Sequence, residues 1–158
     1  MTDGTKRYEL EFWLEASAPR AEVFHLLADP RNTNGLTPLW FDLVPASAVP
    51  NQLAVGTRID YLLRWRAVPL RWQSVITELE PGKRVAYEQG HGPFLFFRHE
   101  QVFEDCSAGT RVTDRVAFSP PGGALVRRLM VVPDLRRIFA HRNERALRLF
   151  SGRAPENS

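Results

Sequence analysis

The closing part of the chain combines a strand–turn–strand pattern with the pattern of one long amphipathic helix. The strands are predicted at residues 94–104 and 110–118, and the breaker Pro120-Pro121-Gly122-Gly123 separates them from the helix. Apolar residues recur in that helix at three- and four-residue spacing, and they are Leu125, Leu129, Val132, Leu135, Phe139, Ala146 and Leu149. We therefore expect one continuous apolar stripe to face the sheet. A curved sheet wrapped around such a helix usually encloses a cavity.

Pro133 interrupts the helix pattern. A proline inside a helix removes a backbone hydrogen-bond donor, and its ring clashes with the preceding turn. Either the helix kinks at Pro133, or a new helix starts there with the proline in its first turn. Both alternatives leave the last part of the helix over the sheet, and a kink would change the width of a cavity beneath it.

The rest of the chain shows strand patterns separated by turn signals. Apolar residues alternate with glutamates over residues 8–16, which predicts a first strand with one buried face. Two short helical or turn segments follow, at residues 20–28 and 31–38. Further strands are predicted at residues 42–49, 59–65, 70–80 and 85–89, with a turn at Val68-Pro69 between two of them. This order predicts an α+β protein rather than the strand–helix alternation of a parallel sheet.

Length and composition fit a globular protein. The chain has 158 residues, of which 44% are hydrophobic and 25% charged, so we expect one domain over residues 1–158 with an ordered core of about 6–151. The N-terminal residues lack the apolar core of a signal peptide, and no apolar run is long enough to span a bilayer, so we expect a cytoplasmic protein. The single cysteine and the spacing of the histidines predict no metal and no cofactor.

The net charge of +3 is unevenly distributed, because arginines crowd into the C-terminal segment. Two interpretations stay open: this basic helix face contacts an anionic membrane surface, or it is a solvated helix flank. No nucleic-acid-binding motif is present, and no Walker A, GxGxxG or GxSxG sequence occurs, so we expect no nucleic-acid partner. Trp13 on the polar side of the first strand would permit a dimer, and a monomer or a homodimer stays open.

Two polar residues of the hairpin form the best candidate for chemistry. If Phe103 pairs with Val112, then His99 and Asp114 become diagonal neighbours on the inner face of the sheet. An imidazole oriented by a carboxylate is a competent general acid or base near neutral pH. The alternative is a buried pair that only satisfies itself. This register sends Arg98, Glu100 and Arg115 to the outer face.

Large apolar side chains supply the candidate ligand-binding surface. Aromatic rings are flat and apolar, so they suit the wall of a cavity that holds a ring system or an acyl chain, although such residues are often plain core. The wall candidates are Trp40, Phe41, Tyr61, Trp65, Trp72, Tyr87, Phe97, Phe103 and Phe118. The helix would add Leu129, Val132 and Phe139 as a roof.

Several phrases of the sequence resemble a known superfamily. They are Val55-Gly56-Thr57 leading into a strand, ITELEPGKR, GPFLFFRHEQVFE, and GTRVTDRV leading to SPPGG. Together with the element order, they resemble the bacterial polyketide cyclase/dehydrase-like members of the SRPBCC superfamily, which includes START domains and the Bet v 1 allergens. The resemblance covers nearly the whole chain. It implies the helix-grip fold, a curved antiparallel sheet around a long C-terminal helix, with two short helices after the first strand and a deep, largely apolar cavity.

Two functions are compatible with these features. In the first, the protein is a carrier or sensor that holds a lipid, a quinone or a polyketide-like aromatic molecule in the cavity. In the second, it is a cofactor-free cyclase or dehydratase, in which His99 moves a proton with the help of Asp114. Binding is the first choice, because apolar wall candidates are plentiful and only one polar pair is in view.

Overall fold

The computed structural model describes residues 6–150 and 152–153. Within them lies one antiparallel sheet of eight strands, in the order β2-β3-β4-β5-β6-β7-β1-β8. The strands are β1 (Tyr8–Ala16), β2 (Phe41–Pro45), β3 (Arg58–Trp65), β4 (Val68–Glu80), β5 (Arg84–His91), β6 (Phe96–Cys106), β7 (Gly109–Ser119) and β8 (Gly152–Arg153). Because β8 is only a two-residue strand, the other strands form the body of a curled half-barrel.

The helices lie in two parts of the chain. Between β1 and β2 come α1 (Arg20–Leu27), a 3-10 turn (Pro30–Asn32) and α2 (Thr33–Leu36). The C-terminal helix covers residues 123–150 and consists of α3 (Gly123–Val126), a π-helical segment (Arg127–Val131) and α4 (Val132–Phe150). This arrangement confirms the predicted α+β class, the two short helices and the long C-terminal helix. No helix of the described residues is long and apolar enough to cross a membrane.

The alternating sequence pattern correctly predicts which residues of β3 lie on the inner face of the sheet. In β3, buried residues alternate strictly with exposed ones, and the buried ones are Ile59, Tyr61, Leu63 and Trp65. The second strand is shorter than predicted and ends at Pro45 rather than at residue 49. β2 is an edge strand, and its pairing with β3 ends just beyond Pro45, with a hydrogen bond from the Ala46 N–H to the Asp60 carbonyl at 2.7 Å.

The predicted turn at Val68-Pro69 is wrong, because the chain reverses at Arg66 and Ala67. Both residues adopt positive φ angles, 49° and 70°, in a two-residue connection that lets Trp65 pair directly with Val68. Pro69 therefore lies inside β4. The missing N–H of Pro69 is tolerated because this end of β4 pairs only with β3, and pairing with β5 begins at Gln73.

The predicted apolar stripe of the C-terminal helix is wrong at three positions. Leu125, Leu129 and Leu149 are 69%, 68% and 64% exposed. The π-helical segment explains the first two, because its wider turn places the inward-facing residues Val126 and Val131 five apart, where an α-helix would place them three or four apart.

Pro133 lies in the first turn of α4, directly after that π-helical segment. The chain stays helical across this junction, so Pro133 lies within one continuous C-terminal helix. From here the inner face follows regular α-helical spacing. The buried residues of α4 are Asp134, Leu135, Ile138, Phe139, Arg142, Asn143 and Ala146.

Two clusters of buried apolar residues lie between sheet and helices. The first joins β3, β4 and β7 to the inner face of the C-terminal helix and contains Trp65, Trp72, Phe118 and Phe139. The second joins β1 and the β6–β7 hairpin to α1 and contains Leu14, Val23 and Phe103. Trp13 lies outside both clusters, and the guanidinium of Arg111 covers its ring at 4.3 Å.

Candidate functional site

A cavity of about 150 Å³ lies between the inner face of the sheet, the α1–α2 segment and α4. Most of its lining is apolar. The apolar and aromatic lining residues are Leu27, Ala28, Pro30, Leu36, Phe41, Leu43, Tyr61, Trp72, Tyr87, Phe94, Phe97, Leu135, Ile138 and Phe139. The polar ones are Thr33, Thr37, Ser74, Glu88, Gln89, His99, Gln101 and Arg142. A dry cavity of about this volume holds a molecule the size of benzene.

The structure brings part of the predicted ligand-binding set to the cavity. The lining includes Phe41, Tyr61, Trp72, Tyr87, Phe97 and Phe139. The others lie elsewhere: Trp40, Trp65, Phe103, Phe118, Leu129 and Val132. The contacts or the exposure of each residue explain why it lies outside the cavity.

Two of these residues are tryptophans at the tip of the β3–β4 hairpin: Trp65 is the last residue of β3, and Trp40, just before β2, packs beside the tip. Trp65 is buried and donates its indole N–H to Asp134 on α4, at 2.8 Å. Trp40 is half-buried and packs beside Arg66, whose guanidinium lies 5.1 Å from the centre of its ring. Together with the salt bridge from Arg66 to Asp134, these contacts tie the hairpin tip to the first turn of α4.

The remaining four lie in the core or on the surface. Phe103 and Phe118 are buried among other core side chains, one in each cluster. Val132 is half-buried against the first cluster. Leu129 points away from the sheet, because it lies within the π-helical turn that rotates this part of the helix.

Phe94 is a cavity residue that the sequence placed inside a strand. The strand β6 begins at Phe96 instead, because the side chain of Gln89 takes both backbone groups of Phe94. Oε1 of Gln89 accepts a hydrogen bond from the Phe94 N–H at 3.0 Å, and Nε2 of Gln89 donates to the Phe94 carbonyl at 2.8 Å. These two hydrogen bonds replace the ladder, and they hold the Phe94 ring in the cavity wall.

The hairpin register confirms the predicted pairing of Phe103 with Val112. As a result, His99 and Asp114 are diagonal neighbours on the inner face. The Nε2 atom of His99 lies 2.7 Å from Oδ1 of Asp114, and the edge of the imidazole packs against Phe139 with ring centres 5.1 Å apart. His99 lines the cavity, whereas Asp114 lies behind it and is fully buried. The carboxylate therefore orients the imidazole and leaves Nδ1 as the free ring nitrogen.

The same register places Arg98, Glu100 and Arg115 on the outer face, as predicted. There Glu100 is paired with Arg98 at 3.1 Å and with Arg115 at 3.6 Å. Because both arginine side chains are at least partly exposed to solvent, these pairs contribute little to stability individually.

Arg142 completes the polar cluster, and the sequence analysis had placed it on the basic outer face of the helix. Its Nη1 donates to Oδ2 of Asp114 at 2.7 Å, and only 7% of the residue is exposed. A signal for this burial exists in the sequence: the apolar stripe has a gap between Phe139 and Ala146, and positions 142 and 143 fill it with helical spacing. The spacing does not reveal that the partner of Arg142 is Asp114 on β7.

The cluster keeps Asp114 ionised. Burial alone would raise the pKa of this carboxyl group, but the Arg142 guanidinium and the hydrogen bond from His99 outweigh burial and lower the pKa to about 2. Because both carboxylate oxygens are already paired, Asp114 supports its neighbours and does not itself face a ligand.

Two tyrosines, Tyr61 and Tyr87, line the cavity. The Tyr87 hydroxyl donates to the Ala28 carbonyl at 2.8 Å, which ties β5 to the end of α1. Burial raises the pKa of Tyr87, and it raises the pKa of Tyr61 to about 12. Both phenols therefore stay protonated near neutral pH.

His25, His91 and Cys106 are not among the residues that line the cavity. Among the residues that the structure describes, no three His, Cys, Asp or Glu side chains form a group that could hold a metal ion. His25 and His91 are exposed, and Cys106 is a free thiol at the end of β6.

Comparisons with known proteins identify the fold. No protein family model matches the chain, and no curated protein is similar enough in sequence to match. Solved structures do match. The Zhui aromatase/cyclase from Streptomyces sp. R1128 is 16% identical with a TM-score of 0.71, and the match covers 91% of this chain and 93% of that one.

Ara h 8.0201, of the Bet v 1 type, is 14% identical with a TM-score of 0.62, and the match covers 90% of this chain and 99% of that one. The chain has the helix-grip fold. CV1439 from Chromobacterium violaceum also shares it, at 15% identity and a TM-score of 0.68, over 92% of this chain and 99% of that one. At these identities, the helix-grip likeness describes the fold, and the cavity residues must carry the argument for function.

Proposed function

We propose that the protein binds a small hydrophobic molecule in the cavity between sheet and C-terminal helix, as a carrier or a sensor. The observation that supports this function is the largely apolar lining of the cavity beneath α4. A carrier or sensor is favoured over an enzyme because most polar groups near the cavity are already hydrogen-bonded within the protein. The Tyr87 hydroxyl is bonded to the backbone, and both oxygens of Asp114 are paired.

The volume limits the ligand. A cavity of about 150 Å³ has room for a single ring or a short branched chain. A lipid, a quinone with a tail or a multi-ring polyketide exceeds this volume, so either part of such a ligand extends out of the cavity or the α1–α2 segment or α4 moves outward. In this proposal, the aromatic walls formed by Trp72, Phe97 and Phe139 contact the ring of the ligand.

Ligand binding can be tested with toluene, which matches the volume. At ten times its Kd, toluene should stabilise the protein by about 1.4 kcal/mol and raise the Tm by several degrees in a thermal denaturation experiment. Ile138→Trp, which fills the cavity from α4, should abolish the shift. Leu129→Trp, the same addition on the exposed side of the same helix, should keep it. No shift in the wild type, together with no co-purifying ligand in native mass spectrometry, would contradict the proposal.

The second candidate function is a cofactor-free cyclase or dehydratase. It is favoured by the orientation of His99, whose Nε2 is held 2.7 Å from Asp114 while its ring lines the cavity. In this alternative, Nδ1 of His99 exchanges a proton with the ligand. A ligand recovered from the protein should then be converted by the wild type and remain unconverted with His99→Phe, whereas a carrier returns it unchanged in both cases.

We also propose that the protein contacts an anionic membrane through the N-terminal end of its C-terminal helix. Leu125, Leu129 and Met130 are exposed there at 69%, 68% and 37%, and Arg128 is exposed beside them. Residues 119–133 contain no carboxylate. An apolar patch flanked only by cations suits a bilayer with negatively charged lipids.

Neighbouring elements extend the same surface. The Arg127 guanidinium lies 4.0 Å from the ring centre of Tyr8 at the start of β1, and Arg7 lies 3.8 Å from that of Phe96. Next to Phe96, Leu95 is 68% exposed. A second copy of the chain docked here around a twofold axis would place these cations against one another, which favours an anionic membrane as the partner.

Vesicle sedimentation tests this surface. The wild type should co-sediment with vesicles of phosphatidylcholine and phosphatidylserine at low salt, and less with phosphatidylcholine alone, because the arginines add electrostatic attraction. The double variant Leu125→Glu/Leu129→Glu should stay in the supernatant. Leu149→Glu is the matched control, since Leu149 is 64% exposed at the other end of the helix, and it should sediment like the wild type. Equal sedimentation of all three proteins, or a change of oligomeric state in the double variant, would contradict membrane contact.

A further inference from the structure

Two residues that line the cavity each carry a side-chain atom with no hydrogen-bond partner among the described residues. These atoms are Oε1 of Gln101 and Nη2 of Arg142, and both are fully buried. Their residues are 2% and 7% exposed, and both line the cavity. Leaving a buried polar atom unpaired costs free energy, so such atoms are uncommon and call for an explanation. A ligand group that forms hydrogen bonds with these two atoms is such an explanation.

Both atoms belong to side chains that flank Asp114. Gln101 lies directly opposite Asp114 in the β6–β7 register, on the same inner face. Arg142 reaches Asp114 from α4 through its other terminal nitrogen, Nη1. Asp114 accepts one hydrogen bond on each oxygen, from His99 and from Nη1 of Arg142, and it accepts none from Nη2.

The chemistry of the two atoms defines the missing group. Gln101 offers an acceptor and Arg142 offers a donor, so the complementary group must both donate and accept a hydrogen bond. The charge of Arg142 is already balanced by Asp114, and a carboxylate would add a second negative charge beside it. A neutral hydroxyl group meets both conditions.

We propose that Gln101 and Arg142 bind the hydroxyl group of a phenol or an alcohol whose apolar part fills the cavity. The ligand hydroxyl donates to Oε1 of Gln101 and accepts from Nη2 of Arg142, and the ring packs against Phe97 and Phe139. This inference rests on the proposed function, since the cavity must first hold a small apolar molecule.

Phenol and toluene are matched probes, because they have nearly the same size and only phenol has a hydroxyl group. Measured by NMR titration, phenol should bind the wild type at least about tenfold more tightly than toluene. In Gln101→Met, phenol affinity should fall to that of toluene, and toluene affinity should not fall. Equal affinities in the wild type would overturn this inference alone, whereas failure of both probes to bind would overturn the proposed function.

Gln89 provides the matched control in the same cavity wall. Both ends of its amide are engaged with the backbone of Phe94, so Gln89→Met should lower the Tm of the ligand-free protein. Gln101→Met removes an unpaired atom, so it should leave the Tm unchanged or raise it. A loss of Tm in Gln101→Met as large as that in Gln89→Met would show that Oε1 already has a partner, and it would overturn the inference.

Discussion

Replacing Asp114 with alanine is expected to lower the free energy of unfolding by about 3–5 kcal/mol. The reason is the environment of Arg142, which is 7% exposed and holds Asp114 at 2.7 Å. Without the carboxylate, a buried guanidinium loses its counter-charge and His99 loses its orienting partner. Urea denaturation monitored by circular dichroism measures the change.

A double variant separates the unpaired charge from lost packing. Asp114→Leu/Arg142→Met replaces the pair with apolar side chains and should be clearly more stable than Asp114→Ala, because no buried charge is left alone. Glu144→Ala is the surface control: its pair with Arg148 is more than half exposed at both ends, so the change should be within about 0.5 kcal/mol. A double variant no more stable than Asp114→Ala would contradict this explanation.

The same carboxylate gives the stability a defined pH dependence. The pKa of Asp114 is about 2 in the folded protein, below the value of about 3.9 for an unfolded chain. Its contribution is therefore fully present above about pH 4 and is lost as the pH falls toward 2, an effect of about 2–3 kcal/mol. The stability difference between wild type and Asp114→Asn should shrink over this window. A difference that stays constant from pH 5 to pH 2.5 would show that the folded pKa is not depressed.

The hairpin that carries this cluster could be predicted from the sequence in detail. Buried residues alternate along most of β7, and the assumption that Phe103 of β6 pairs with Val112 is confirmed by the register of the hairpin. The contact between His99 and Asp114 follows from that register without knowledge of any other element.

The roof of the cavity could not be predicted in the same way. A stripe through Leu125, Leu129 and Val132 assumes that each turn has α-helical spacing, and a π-helical turn before Pro133 breaks that assumption. Arg142 shows a second limit. An arginine is buried only where a partner from another element compensates its charge, and the sequence of the helix does not contain that partner.

Phe139→Ala is expected to lower the free energy of unfolding by about 3–5 kcal/mol and to enlarge the ligand that the cavity accepts. Phe139 stacks on Phe12 with ring centres 4.5 Å apart, meets the edge of His99 and forms part of the cavity wall. Truncation joins the volume of its ring to the cavity. We expect the wild type to exclude naphthalene, which has a second fused ring, and Phe139→Ala to bind it, as measured by its fluorescence on titration.

Phe103→Ala is the control that separates stability from ligand size. Phe103 is equally buried, at 2% exposure against 5% for Phe139, and packs edge-on against Phe24, with ring centres 5.0 Å apart, in the other core cluster. Its loss should therefore cost a similar free energy of unfolding but leave a void apart from the cavity, and naphthalene should still be excluded. If both variants bind naphthalene alike, general loosening of the core admits the larger ring. If neither binds it while toluene still binds, Phe139 does not limit the cavity.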